Sequence, residues 1–416
     1  MQIKKEHIII VSESIDVNDS SASKGRVALI NNLIKIGYQV TVLHYTRKHI
    51  ELKGARCIEI KEKKNTIFYV LSRAQRILNR YFKIDLSKTL ESIFGFSFTF
   101  FNDVNSIKDS IKRIDNFKIL ITLSKGASFR PHYAVNKSPM FHDKWLAYIH
   151  DPYPFSCYPE PYTWEEPGYR QKHKFFMEVS KHAQFSVFPS LLLKNWMGNF
   201  FPNFIKTGLI IPHQNFESEL ENFEEPKYFD SSKFNVLHSG SLMKPRNPRG
   251  LIKGFELFLN KNPKAKKSAK LLLLGNADYH KVFIKKCAAA IPELCVQLSN
   301  VPFNEVYWLQ KHVSVNIIIE AKASISPFLP GKFPHCISAN KPILHLGPKN
   351  SESKRLLGED YKYHSLIDDV EGIARCIQAL YDLWLDSNGQ LKLNRLDLED
   401  YISSSFLKKQ MDSLIC

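Results

Sequence analysis

The chain has 416 residues, 44% hydrophobic and 24% charged; this is the balance of a globular protein too long for one ordinary core, and two domains are expected. Its longest aliphatic runs, "HIIIV" and "KLLLLG", fall far short of the roughly 20 residues that cross a bilayer, and the start "MQIKKEHIIIVSES" lacks the apolar core and cleavage site of a signal peptide. The net charge of +17 is concentrated in residues 1–200, with 30 Lys+Arg against 18 Asp+Glu, compared with 28 against 23 in the remainder.

That charge suggests an anionic partner: a membrane surface, nucleic acid or a phosphate-bearing substrate. A lysine-rich solubilising surface is the plainer alternative. No RRM, helix-turn-helix or zinc pattern supports nucleic acid, and none is expected as a partner. The seven cysteines form no CxxC pair, which argues against a zinc site or disulfide framework and fits a reducing cytosol.

In chain order, "HIIIVSE" (7–13) reads as a buried strand and "IDVNDSSASKG" as a loop. "GRVALINNLIKIG" has helical spacing at Val27, Leu29, Ile30, Leu33 and Ile34, closed by Gly37, and "QVTVLHY" is the next strand. This βαβ opening predicts a parallel sheet with helices on both faces.

"LSRAQRILNRYFKIDL" places Arg73, Arg76, Arg80 and Lys83 on one helical stripe, with Ala74, Ile77, Leu78 and Tyr81 beside it. "FGFSFTF" puts Phe94, Phe96, Phe98 and Phe100 on one face if extended. Together they form either a surface for an anionic membrane or an ordinary surface helix and a buried strand. "KILITLS" and "WLAYIHD" read as strands. A helix follows at about 169–182, then the strand "FSVFPS". The acidic, aperiodic stretch 214–233 reads as linker.

The alternation then restarts with the strand "FNVLHSG", the helix "PRGLIKGFELFLN", the strand "AKLLLLGN" and the helix "YHKVFIKKCAAA". After these come "CVQLSNV", the helix "NEVYWLQKH", "VSVNIII", "KPILHLG" and a long helix around 370–386. The expected fold is α/β, two Rossmann-like domains facing a cleft. Expected boundaries are a first domain at 1–212, a linker at 213–233, a second domain at 234–385, and a helical segment at 386–416 that packs back on the first. Ligands in such folds bind beyond the carboxyl ends of the strands.

Two basic loops occupy such ends in the second half. "HSGSLMKPRNPRG" crowds Lys244, Arg246 and Arg249 between a strand and a helix, and "SPFLPGKFPHC" isolates Lys332 between prolines. A guanidinium and an ammonium converging on one crevice suit a diphosphate, although loop-end arginines often only meet solvent. His213, His238 and His345, in or beside apolar strands, read as satisfied core or edge histidines. His150 and Asp151 differ, because a strand ends there. The loop "DPYPFSCYPEPY" follows, stiffened by Pro152 and Pro154, with aromatic rings able to stack on a sugar. A helix cap or a turn-forming Asp is the alternative reading of that pair.

The order of "HSGSLMKPRNPRGLIKGFELF", "LLLLGN", "VPFNEVYWLQKHVSVNIIIE" and "SPFLPGKFPHCISANKPIL" resembles the nucleotide-binding half of retaining GT-B glycosyltransferases. The resemblance is to the family 4-like, bacterial surface-glycan branch and covers roughly residues 234–385. The first half matches only at "HIIIVSE…KGRVALINNLIKIGYQVTVL" and "YIHDPYPF". The resemblance implies a glycosyltransferase using a nucleotide-diphosphate sugar, with no cofactor or metal, and a glycan or lipid-linked acceptor. The enzyme is expected to be cytoplasmic, at the inner face of the membrane. Arg246 and Lys332 would neutralise the donor diphosphate, and Gly240 and Ser241 would let backbone approach it, with Lys244, Pro330 and Gly331 in the same loops. Val301 and Pro302 would read the base. Gly25, at a helix start, would approach the sugar–phosphate junction, and His150 and Asp151 the transferred sugar or acceptor. Two glutamates common in the family fall here at Pro327 and His335. His335 or Glu320 is the expected substitute for the ribose contact. The loss of both glutamates also leaves a non-catalytic, sugar-nucleotide-binding or scaffold subunit as the alternative.

Overall fold

A computed structural model of the chain describes residues 6–19, 21–216 and 223–414. Residues 1–5 of the amino terminus, Ser20, residues 217–222 of the expected linker, Ile415 and Cys416 lie outside the described residues. Contacts divide the chain into two units: residues 1–158, 162–214 and 403–416 form one, and residues 159–161 and 215–402 the other.

The first unit is built on seven parallel strands: β1 (His7–Ser12), β2 (Gln39–His44), β3 (Ala55–Glu59), β4 (Ile119–Leu123), β5 (Trp145–Tyr148), β6 (Phe185–Phe188) and β7 (Gly208–Ile210), in the order β3-β2-β1-β4-β5-β6-β7. Strands buried on both faces read as continuous apolar runs, which is why Ile8, Ile9 and Ile10 are all fully inaccessible. The helices are α1 (Ser21–Lys35), α2 (Ile67–Phe82), α3 (Ser87–Phe94), α4 (Phe98–Ile111), α5 (Arg130–Asn136), α6 (Tyr169–His182), α7 (Leu191–Phe200) and α8 (Asn203–Thr207). Aromatic side chains fill the core: Phe176 meets Phe129, Phe201 and Phe204 with ring centroids 5.0, 5.5 and 5.6 Å apart.

The second unit holds a six-stranded parallel sheet. Its strands are β8 (Phe234–Ser239), β9 (Ala269–Leu274), β10 (Leu294–Gln297), β11 (Val315–Ile319), β13 (Ile343–Leu346) and β15 (His364–Ser365), in the order β10-β9-β8-β11-β13-β15. A two-stranded sheet of β12 (Ile325–Ser326) and β14 (Asn350–Ser351) stands apart. Its helices are α9 (Arg249–Lys261), α10 (Lys281–Ala290), α11 (Phe303–His312), α12 (Phe333–Ser338), α13 (Glu352–Leu357), α14 (Val370–Asp386) and α15 (Leu396–Tyr401). The last helix, α16 (Ser404–Asp412), packs on α1 of the first unit. Both large sheets reverse strand order once, between β1 and β4 and between β8 and β11, the doubly wound arrangement in which the crevice opens at the reversal.

Several local expectations are corrected. Helix α1 begins at Ser21, so Gly25 sits in its second turn and not at a helix start. The turn residues before it close early, with Asp19 N–H donating to Asp16 O, and Ser21 and Ser23 belong to the helix. Helix α2 starts at Ile67, earlier than the basic stripe suggested, because Thr66 caps it by accepting from Tyr69 N–H, and Lys83 ends it in a left-handed conformation. "FGFSFTF" is not extended. Gly95 terminates α3 at φ +84° and Ser97 caps α4 by accepting from Phe100 N–H, so Phe96 and Phe100 stack at 4.1 Å as helix-flanking core residues. Tyr153, one of the rings read as sugar-stacking, is buried in the core against Phe129 at 4.7 Å.

Candidate active site

The second unit's strand reversal positions its basic loops. Strand β8 ends into Gly240–Pro248 and β11 ends into Glu320–Lys332, and the two strands are sheet neighbours. Gly240 adopts φ +131°, a conformation that side chains resist. A Cβ added there would lie 3.8 Å from Lys332 Nζ, so the ammonium sits directly over this backbone. Lys332 Nζ also donates to Ile317 O at 3.3 Å and stands 3.2 Å from Nδ1 of the buried His238.

The electrostatics of this cluster are those of a site built for negative charge. Burial above all, with a smaller contribution from the Arg246 charge, pulls the Lys332 pKa down to about 7. Burial, with Lys332 and Arg246, holds His238 well below the usual imidazole value. Arg246 Nε is buried without a hydrogen-bond partner among the described residues. Such an orphaned donor costs free energy unless something accepts from it. The structure therefore brings Gly240, Arg246 and Lys332 together, with His238 as a fourth member.

The other candidates are placed differently. Ser241 and Lys244 are exposed on the same loop, while Arg249 turns away to cover the Phe283 ring at 4.2 Å. Pro330 O accepts from Phe333 N–H at 2.8 Å, closing the turn that presents Lys332. Gly331 is exposed, with open space where a Cβ would stand. Val301 packs beside the small core of Phe229 and Leu237, and Pro302 is exposed at the N-cap of α11. Glu320 is buried and committed, accepting from Ser353 Oγ at 2.6 Å and lying 3.2 Å from His345 Nε2. His335 is buried, with Nδ1 2.7 Å from Asn215 Oδ1 and its ring 5.4 Å from Phe303.

In the first unit, polar groups gather at the ends of β1, β4 and β5. His150 Nδ1 lies 3.0 Å from Ser124 Oγ, and its ring stacks on Tyr148 at 4.2 Å and parallel to His213 at 6.0 Å. Burial first, and the neighbouring His213, keep this imidazole well below its usual pKa, hence neutral. Asp151 follows, half-buried. Gly25 has open space where a Cβ would stand. Glycine within a helix costs about 1 kcal/mol relative to alanine, and no packing neighbour accounts for it here.

Three contributors escaped sequence reading. His238 has the sequence context of a satisfied core histidine, yet its Nδ1 faces Lys332. Gly275 lies at φ +116°, where a Cβ would meet Gly240 O at 2.7 Å, so two glycine backbones pack against each other beneath the site. The "LLLLGN" run carries that glycine, and its position immediately after a strand was the available signal. Arg26 is fully buried and donates to Ser14 O at 2.8 Å, Ser124 O at 3.1 Å and Ser23 Oγ at 2.8 Å, tying the ends of β1 and β4 to α1. No sequence signal separates it from a surface arginine. A different cavity, of about 380 Å³, is lined by Ser156, Cys157, Tyr169, Arg170, His173 and Phe200 and contains none of these groups.

No protein-family model matches the sequence, and no curated protein matches it either. Solved structures do. An alpha,alpha-trehalose-phosphate synthase (UDP-forming) from Burkholderia xenovorans, in complex with glucose-6-phosphate, is similar with TM-score 0.66 over 98% of this chain and 100% of that one, at 9% identity. An E. coli structure described as trehalose-6-phosphate bound with UDP-2-fluoro glucose is similar with TM-score 0.63 over 98% of each chain, at 8% identity. The N-terminal domain of a Candida albicans trehalose-6-phosphate phosphatase is similar with TM-score 0.57 over 99% of this chain and 98% of that one, at 12% identity.

The fold is GT-B. At these identities the likeness concerns architecture alone.

Proposed function

We propose that the protein is a glycosyltransferase that takes a sugar from a nucleoside-diphosphate donor and passes it to a hydroxyl of a glycan or lipid-linked acceptor. The proposal includes retention at the anomeric carbon and no divalent ion. The observation that carries it is the Lys332 ammonium lying over the Gly240 backbone, with the unpartnered Arg246 guanidinium in the same cluster. When the bond between the sugar and the β-phosphate breaks, the electron pair stays with the diphosphate. Two preorganised cations beside it stabilise the charge as it develops. Supporting this reading, one similar structure is a UDP-forming synthase and another is bound with UDP-2-fluoro glucose. Gly25, His150 and Asp151 are assigned to the sugar and acceptor, with His150 as a neutral hydrogen-bonding group.

One observation favours a second reading, a binding module without turnover. The residues expected to hold the ribose are engaged within the protein, Glu320 with His345 and Ser353, and His335 with Asn215. Calorimetric titration with UDP- and GDP-sugars, followed by an assay for released nucleoside diphosphate with membrane lipid extract as acceptor source, separates the two. Release that depends on Lys332 supports the transferase. Tight binding without release supports the module, and no binding of any sugar nucleotide rejects both.

A further inference from the structure

The transferase reading leaves one feature of the first unit unused. Helix α2 turns its apolar stripe outward. At about 100° per residue, Ile67, Val70, Ala74, Ile77 and Tyr81 fall within an arc of about 80°, and all five are exposed. Ile67, Val70, Ile77 and Tyr81 are 71%, 62%, 52% and 69% accessible. The helix is not loosely attached. Its other side is pinned to α4 through Phe68, whose ring lies 5.1 Å from Phe101, and through the buried Ser72. The turn and helix that follow expose Phe82, Ile84, Leu86 and Phe94 as well. A contiguous apolar surface of this kind marks an interaction site.

Its charge identifies the partner. Arg73, Arg76 and Arg80 occupy the arc next to the apolar stripe. Arg73 is held by Glu62 at 3.1 Å, whereas Arg76, Arg80, Lys83 and Lys88 form no ion pair among the described residues. Apolar side chains facing out, flanked by unpaired cations, are the pattern of a helix lying in the interfacial layer of a bilayer with anionic headgroups. A partner helix would cover the stripe alone, but here the exposed apolar residues continue around the turn at Phe82, Ile84 and Leu86, a breadth that a lipid surface covers. None of the described helices is long and apolar enough to cross a membrane, so the contact is peripheral.

We propose that the outward face of α2 and the turn after it dock this protein on an anionic lipid membrane. This inference is independent of the donor chemistry, and its test does not use turnover.

The full chain is sedimented with vesicles of phosphatidylcholine alone and of phosphatidylcholine mixed with phosphatidylglycerol. The expected result is co-sedimentation with the anionic vesicles only, weakening as salt rises. The pairs Ile77→Ser with Tyr81→Ser, and Arg76→Glu with Arg80→Glu, should each lower the bound fraction at least tenfold. Their thermal melts should match the parent, because all four side chains face solvent. Absence of binding to anionic vesicles, or undiminished binding by both pairs, overturns the proposal. A parent that is dimeric by size-exclusion chromatography and fails to bind vesicles, with a monomeric Ile77→Ser, Tyr81→Ser pair, overturns it in favour of a second copy of this chain.

Discussion

Lys332 Nζ and His238 Nδ1 lie 3.2 Å apart across 94 residues of sequence, and both are basic groups. Two such groups stay this close only while at least one is uncharged. Burial keeps the histidine neutral and brings the lysine down to about 7. The site thus stores an unmet demand for negative charge, which a bound diphosphate satisfies.

Removing either cation should remove that stabilisation. Lys332→Ala and Arg246→Ala are each expected to cut turnover by about 10²–10³-fold, the usual effect of deleting one charge-stabilising donor. Circular dichroism should show both folded. Parent-level release of nucleoside diphosphate by Lys332→Ala would falsify the leaving-group role.

Stability should carry the opposite signature. The folded-state pKa of Lys332, about 7, lies below the unfolded value of about 10.4. Between those values the unfolded chain holds a proton that the folded chain has released, so this group makes stability rise with pH across that window. Below pH 7 its full cost is present. Lys332→Met should therefore melt higher than the parent near pH 6, with the gap closing as pH approaches 10. A gap independent of pH would contradict the lowered pKa.

The same shift predicts proton uptake on binding. Titrating UDP into the protein at about pH 8, in buffers of different ionisation enthalpy, should reveal uptake approaching one proton. Near pH 6, where Lys332 is already charged, uptake should vanish. The Lys332→Ala variant should show none at either pH.

Beneath the site, Gly275→Ala is expected to lose stability, because its φ of +116° disfavours any side chain and the new Cβ would strike Gly240 O. The cost should be about 1–3 kcal/mol, read as a shift in the urea midpoint. Affinity for the nucleotide should fall as well, since Gly240 must move. A midpoint equal to the parent's would show that the two loops are not packed as described.

In the first unit, Arg26→Met should free the carbonyls of Ser14 and Ser124 from their buried donor. Ser14 O keeps the Ser12 hydroxyl as a donor at 3.0 Å, so the orphaned acceptor is Ser124 O, at a cost of about 1–3 kcal/mol. Denaturant melts should move accordingly, with Arg26→Lys recovering only part, because one ammonium cannot reproduce the guanidinium's fork. Full recovery by lysine would mean that charge alone matters at this position.

The sequence by itself determined the βα alternation, because parallel strands covered on both faces must be unbroken apolar runs such as "HIIIVS" and "AKLLLL". It also marked Lys332, since prolines and a glycine around a lone cation leave a local trace. What it could not convey is orientation. Whether the apolar or the basic stripe of α2 meets the core is decided by Phe68 finding Phe98 and Phe101 on α4, at ring separations of 6.4 and 5.1 Å. His238 joins Lys332 only because β8 and β11 are neighbours in the sheet, and Arg26 becomes structural only because β1 lies beside β4. Periodicity is a property of consecutive residues and survives in the sequence. Which side chain meets which across a sheet is fixed by strand order, and that exists only once the chain has folded.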